Sequence, residues 1–432
     1  MRKILIVGSG QSGLQLALGL QARGYDVTMM TARTADEIRG GQVMSTQCMF
    51  EYSLDLERGL GLDLWADSGH RIDGLGVSVP GPDGARVIDW LGHFDAYAQS
   101  IDQRVKMSAW LELFEQRGGR VVVNAATVSD LDRLAAMYDL TVVAAGKGEI
   151  TALFDRDESR SPYTQPQRSL AIAYVHGLAP RAEHPDVTGV RLDLIPGVGE
   201  LIVIPAFTTS GVCDILFWEG IPGGPLDVFD EVARDPQAQL DRTLELMRQF
   251  TPWEYERCAN VELTDARGTL AGRYTPVVRR PVGELPSGGI VLGMADVVVA
   301  NDPITGQGSN NAARCADSYL NAILDRGDRP FDRAFMQRAY DHFWDRVAIC
   351  TAWTNAMLAP PPPHVLQLIG AAGQFQAVAD RFTNAFSTPD DFADWLLDPE
   401  LAESYLAKVA QEAGVGPEAE PAQAEAVQAA QE

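Results

Sequence analysis

Lys3-Ile4-Leu5-Ile6-Val7-Gly8-Ser9-Gly10-Gln11-Ser12-Gly13 is the stretch that decides the fold. Its first five residues form an apolar run that reads as a buried strand. Residues 14–22 then read as a helix, Gly24 ends it, and residues 26–31 read as a second strand. The glycines fall in the order G-x-G-x-x-G, between strand and helix. The first allows a tight turn, the second lets a pyrophosphate approach, and the third lets helix and strand pack closely. The helix N-terminus offers free N–H groups to phosphate. Gly8, Gly10, Gln11, Ser12 and Gly13 are therefore expected to bind an ADP-containing cofactor. One part of the fingerprint is missing. An acid about 20 residues further on normally grips the ribose. The second strand ends instead in Met29-Met30-Thr31-Ala32-Arg33, and Asp36 and Glu37 come later. Either Thr31, beside Arg33, or a backbone group holds the ribose, or the dinucleotide is held loosely.

Outward from this unit, residues 40–100 alternate short apolar pieces with Gly, Pro and Asp, which predicts strands and loops rather than long helices. Residues 107–117 predict a helix closed by Gly118-Gly119. Residues 120–123 predict a strand, 129–138 a short helix, and 140–145 a strand stopped by Gly146. These continue the same α/β sheet. Residues 165–265 carry alternating strands at 170–175, 189–194, 201–204 and 212–218, with a helix at 237–250. This predicts an inserted antiparallel sheet. After a strand at 290–292 come Gly293-Met294-Ala295-Asp296 and then Asn301-Asp302-Pro303-Ile304-Thr305-Gly306-Gln307-Gly308-Ser309-Asn310-Asn311. A helix follows to about residue 324. A glycine-rich turn opening a helix can polarise a carbonyl or an anionic ring. Residues 331–410 read as helical, with Trp344, Trp353, Phe375, Phe382, Phe386 and Trp395 as core. Residues 411–432 hold no Lys or Arg and read as a disordered acidic tail.

Composition narrows the partners. With 35 Lys and Arg against 59 Asp and Glu, the formal charge is −24. That field repels nucleic acid and anionic membrane surfaces. No apolar run reaches the roughly 18 residues of a membrane span. The five cysteines are scattered, which reads as a reduced cytoplasmic protein without a disulfide framework. The six histidines show no ligand spacing, so no protein-bound metal is expected. Cys48 reads as a buried small hydrophobe. His70 and His93 read as surface or loop residues.

Taken together, the N-terminal fingerprint, Asp296 and the 303–310 turn resemble the flavoprotein monooxygenases of the p-hydroxybenzoate-hydroxylase fold. The match is closest to the two-component styrene and indole monooxygenases. Their D-P-x-x-G-Q-G-x-N turn is similar to Asp302-Pro303-Ile304-Thr305-Gly306-Gln307-Gly308-Ser309-Asn310. Tyr138-Asp139-Leu140-Thr141-Val142-Val143-Ala144-Ala145-Gly146-Lys147, Thr351-Ala352-Trp353-Thr354-Asn355 and Phe382-Thr383-Asn384 also match. The resemblance implies a Rossmann-like FAD-binding domain (1–70, 100–165 and 268–330) and an antiparallel-sheet substrate domain (71–99 and 166–267). A C-terminal helical region (331–410) completes it. It implies that Asp296 contacts the ribityl chain and that Pro303, Gly306, Gln307, Gly308, Ser309 and Asn310 lie along the flavin. It also implies that Arg104 contacts the flavin from the middle helix and that Gln42 stands where the styrene type carries a flavin-facing Arg. Reduced, exchangeable FAD would come from a separate NADH-dependent flavin reductase, and O2 would yield a C4a-hydroperoxyflavin that epoxidises an aromatic alkene. A homodimer is allowed.

Within that family, the styrene type carries Asn, Val and His where Ser45, Gln47 and Met49 stand, and Ser where Ala98 stands. The Ser-Gln-Met-Ala combination resembles the indole-preferring branch. The implied substrate pocket is Met44, Ser45, Gln47, Met49, Ala98, Pro303, Ile304 and Thr305. Ser45 would steady the peroxyflavin and Gln47 would orient the indole N–H. Styrene epoxidation, and a single-component NAD(P)H-dependent hydroxylase, are the alternatives.

Overall fold

A computed structural model describes residues 2–81, 84–146 and 148–414. Two sheets organise the α/β chain. The six-stranded sheet runs in the order Val282–Glu284, Ile290–Gly293, Leu140–Val143, Lys3–Val7, Asp26–Thr31, Arg120–Val123. Its strands are parallel except at the Val282–Glu284 edge. Lys3–Val7 lies inside this sheet because four of its five residues are apolar and buried. The Gln11–Gln21 helix covers one face, and the Gly308–Arg326 helix packs beside it on the same core.

The eight-stranded sheet runs Glu262–Leu263, Ser169–His176, Gly211–Gly220, Gly199–Thr208, Gly189–Ile195, Ile72–Pro80, Arg86–Ala98. Thr269–Arg273 also pairs with Ser169–His176, so the chain leaves this sheet after Arg273 and not at residue 267. The antiparallel expectation needs one correction: Ile72–Pro80 pairs in parallel with Gly189–Ile195. These strands come from distant parts of the chain, so no hairpin turn sets their direction. Ile172, Tyr174, Ile204, Ile215 and Phe217 line the face that meets residues 43–50 and the C-terminal aromatics. Ala173, Leu201, Leu216 and Trp218 line the other, under the Pro236–Phe250 helix.

Two local expectations also shift. The middle helix begins at Gln103, four residues earlier than the pattern predicts, because Asp102 accepts from the Arg104 N–H at 2.7 Å and caps it. Residues Glu51–Arg58 form a helix where strands and loops were expected. Phe50, at its start, cannot cap it; Ser387 Oγ accepts from the Tyr52 N–H at 3.2 Å and Asn310 Oδ1 from the Phe50 N–H at 3.0 Å, so the helix depends on contacts 335 and 260 positions away. Helices occupy most of 333–412, and the last of them, Pro399–Glu412, runs into the first two residues of the 411–432 stretch read as a disordered tail; residues 415–432 of that tail lie outside the described residues. Among the described residues no helix is long and apolar enough to cross a membrane.

Candidate active site

The N-terminal cradle follows from its three glycines. Gly8 has φ +116°, and a Cβ there would lie 2.8 Å from the Ala144 backbone. A Cβ on Gly13 would lie 2.0 Å from the Gly8 carbonyl oxygen. Gly10 faces open space, with nothing within 4 Å of a Cβ. The helix that starts at Gln11 has no side-chain cap and no acid in its first turn. Its free N–H groups therefore meet an open position beside Gly10, which fits a pyrophosphate. Gln11 is committed elsewhere: its Nε2 donates to Glu57 Oε1 at 2.9 Å and to Gln15 Oε1 at 3.1 Å. Ser12 is buried. At the end of the second strand, the Thr31 hydroxyl bonds Ser9 Oγ at 2.7 Å and donates to the Arg33 carbonyl at 3.1 Å. Arg33 reaches the Met44 sulfur at 2.9 Å. Glu37 is used in a capping box with Thr34.

A second cradle sits at the tips of the neighbouring strands. Ala295 has φ +50°, the one positive φ at a non-glycine among the described residues. Such a conformation persists only where its surroundings enforce it. Here the Met294 N–H donates to Val143 O at 2.9 Å, and the exposed Asp296 is set beside Gly146, where a Cβ would be 3.2 Å from its own. The turn is then built by Asp302, which accepts from the Ile304 N–H at 3.2 Å, and by Gly306 at φ +62°. Gly308 faces open space, and the Gly308–Arg326 helix again lacks a side-chain cap and a first-turn acid. Two uncapped helix starts, each with an open glycine, fit the pyrophosphate and the ring of a flavin dinucleotide.

The side chains of this turn face the protein rather than the open side. Gln307 donates to Phe386 O at 2.9 Å and accepts from Arg314 at 3.2 Å. Asn310 donates to Cys48 O at 2.8 Å and Gly306 O at 3.1 Å. Thr305 Oγ1 bonds Thr354 Oγ1 at 2.7 Å. The turn thus offers its backbone, with Pro303 and Ser309 half-buried and Ile304 buried. Arg104 is also committed: it bonds Asp102 at 2.8 Å, Asp265 at 3.0 and 3.2 Å, and Thr208 at 3.0 Å. Gln42 is exposed and donates to the Thr269 carbonyl.

Residues 43–50 join no ladder, except that Met49 exchanges backbone bonds with Gln99 at 2.8 and 2.9 Å. Ser45 Oγ accepts from Gln103 Nε2 at 2.9 Å. Tyr174, fully buried, donates its O–H to Ser45 O at 3.0 Å. Its oxygen then accepts from Gln47 Nε2 at 3.4 Å. That fixes the Gln47 amide and leaves Gln47 Oε1 buried with no partner. Burial raises the Tyr174 pKa, so it stays a donor. Ala98 is buried in the same apolar cluster as Tyr174. Met49 is not: it packs with Leu54 and Ala313. Met44 packs against the core of the six-stranded sheet. The structure therefore joins Ser45, Gln47 and Tyr174 and separates Met44 and Met49 from them. Tyr174 was missed from sequence; its signal was one hydroxyl on an otherwise apolar strand face. Cys48 is buried, and burial pushes its thiol up to about 12, as suits an inert hydrophobe. A cavity of ≈ 450 Å³ has Val79, Leu194, Ile221, Trp353, Leu366 and Leu397 in its wall.

Residues 146–257 match the family described as "Styrene monooxygenase A putative substrate binding domain". The chain is 30% identical over 407 residues to the styrene monooxygenase StyA of Pseudomonas fluorescens, covering 92% of this chain and 96% of the relative. It is equally 30% identical over 417 residues to that of a Pseudomonas sp., covering 95% and 98%. Its fold is shared with p-nitrophenol 4-monooxygenase PnpA from Pseudomonas putida DLL-E4, with a TM-score of 0.61 at 13% identity over 90% of this chain and 98% of that one. Identity along nearly the whole length, with the glycine cradles in place, means that the chain belongs to the styrene monooxygenase family.

Proposed function

We propose that this chain is the oxygenase component of a two-component flavoprotein monooxygenase. It takes reduced FAD from a separate NADH-dependent reductase and epoxidises an aromatic alkene, with the C2=C3 bond of indole preferred. Bound reduced FAD supplies the activation of O2. The chain's own residues do the rest. The cradle at Gly8, Gly10 and Gly13 holds the pyrophosphate, Asp296 the ribityl chain, and the 303–308 backbone the ring. Ser45 Oγ accepts from Gln103, which leaves its own proton to donate. The apolar cluster around Tyr174, Ile204 and Phe217 would keep water away from the bound substrate.

Gln47 Oε1 carries the indole reading. It is a buried acceptor without a donor. Leaving such a group unmade is costly, and a bound donor removes the cost. Indole brings an N–H; styrene brings none. The second reading, styrene as substrate, is favoured by the named relatives. Gln47→Leu separates the two. The expected result is a fall of about tenfold in kcat/KM for indole, with styrene changed by less than about twofold. An equal fall for both substrates would assign Gln47 a structural role and remove the case for indole.

A further inference from the structure

Antiparallel pairing of Gly199–Thr208 with Gly211–Gly220 sets Glu200 directly opposite Glu219. Residues in such a pair project from the same face, and like charges there are destabilising. Both are buried, Glu219 completely. Glu200 has its cation: Arg168 grips it at two points, each 2.9 Å. The remaining Arg168 bonds go to the Gln167 and Leu358 carbonyls, so Glu219 receives none. The carboxyl of Asp302, on the turn, lies within interaction reach of Glu219. As two carboxylates, these groups could not bond at all. Glu219 Oε1, Glu219 Oε2 and Asp302 Oδ2 are all buried without a donor. One proton between the two carboxyls supplies the donor that the cluster lacks.

We propose that Glu219 and Asp302 share one proton, and that this proton latches the substrate sheet to the 303–306 turn, making Glu219 a positioning residue for the flavin. The proposal rests on the reading that this turn carries the flavin. Asp302 is what shapes the turn, through its bond to the Ile304 N–H. Glu219 holds Asp302 from the sheet without touching the cofactor. The charged neighbours of the pair are Glu200, on the adjoining strand, and Arg168, just before the Ser169–His176 strand; Tyr163 and Tyr274 also feel the Asp302 charge. Burial pushes Glu219 well above its ordinary range, and the Asp302 charge adds to it. An acid shifted upward keeps its proton near neutrality and loses it as pH rises. Deprotonation leaves two buried negative charges facing each other, and the latch opens on the alkaline side.

The test has two readouts on purified protein. Infrared difference spectroscopy without FAD looks for the carbonyl stretch of a protonated carboxylic acid that shifts in D2O. Quenching of flavin fluorescence then measures FAD affinity from about pH 6 to about pH 9 for wild type, Glu219→Gln, Glu219→Leu and Gly306→Val. The wild type should show the band and lose about tenfold in affinity toward alkaline pH. Glu219→Gln, whose amide donates without titrating, should lose the band, keep the neutral affinity and flatten the profile. Glu219→Leu should bind about tenfold more weakly throughout. A wild type minus Glu219→Gln difference spectrum without that band overturns the shared proton, because the other buried carboxyls, Asp193 and Asp214 among them, cancel in the subtraction. Unchanged affinity in Glu219→Leu while Gly306→Val binds weakly overturns the latch. Unchanged affinity in both overturns the placement of the flavin on this turn, and the proposal with it.

Discussion

Gly13→Ala lowers FAD affinity at least about a hundredfold, a cost of about 2.8 kcal/mol or more. The added Cβ would sit 2.0 Å from the Gly8 carbonyl oxygen. Both atoms belong to backbone or are fixed to it, so no rotamer relieves the overlap. The Gln11–Gln21 helix must move off the Lys3–Val7 strand. That shift opens the core formed by Leu14, Leu16 and Leu18 with Ile4 and Ile6, and it turns the helix N–H groups away from the phosphate position. Gly10→Ala is the control. Its Cβ meets nothing within 4 Å, so the fold stays intact while the methyl group occupies the open space of the cradle. Thermal unfolding and FAD titration together check the pair. Gly13→Ala loses stability and affinity; Gly10→Ala loses affinity alone. Normal FAD binding by Gly10→Ala would show that the pyrophosphate does not lie there.

Arg104→Met destabilises the fold by about 3–5 kcal/mol at neutral pH, because it strips the cation from a buried charge cluster. Arg104 and Asp102 are each at most 2% exposed, and Asp265 shares the guanidinium. Removing it leaves Asp102 and Asp265 unneutralised and the Thr208 bond lost. Burial pulls Asp265 upward, but its bonds to Arg104 outweigh this and hold it below the usual carboxylate range. A carboxylate depressed in the folded state adds stability above its unfolded pKa and loses it as pH falls. The gap between wild type and Arg104→Met is therefore widest near neutrality and narrows below about pH 4. Denaturant midpoints at several pH values measure it. A gap that does not change with pH would mean that packing, not charge, holds this corner.

How much was legible in the sequence depended on how local each cause was. Gly8, Gly10 and Gly13 could be read directly, because their roles concern the turn they occupy. The strands at 170–175, 201–204 and 212–218 were legible from alternation, since one face packs on helix and the other on residues 43–50. The helix at Glu51–Arg58 was not, because the N–H groups of Phe50 and Tyr52 at its start are held by Asn310 and Ser387. Ser45, Gln47 and Met49 looked like one face of a strand. The single bridge of Met49 to Gln99 turns its side chain toward Leu54 and Ala313, while Gln47 reaches Tyr174. The commitment of Arg104 to Asp265, and the meeting of Glu219 with Asp302, depend on contacts over 161 and 83 positions. No spacing in the chain records them.

The central claim is reductase-dependent oxygenation of an aromatic alkene. The most direct measurement is aerobic turnover of indole and styrene, side by side, with NADH, FAD and an unrelated flavin reductase. The same mixture without the reductase serves as reference. NADH-dependent product is expected only when the reductase is present, with faster consumption of indole and blue pigment. Faster formation of styrene oxide would keep the chemistry and reject the reading of Gln47. Rapid NADH oxidation by the chain alone, or no oxygenated product while the reductase delivers reduced FAD, would contradict the account.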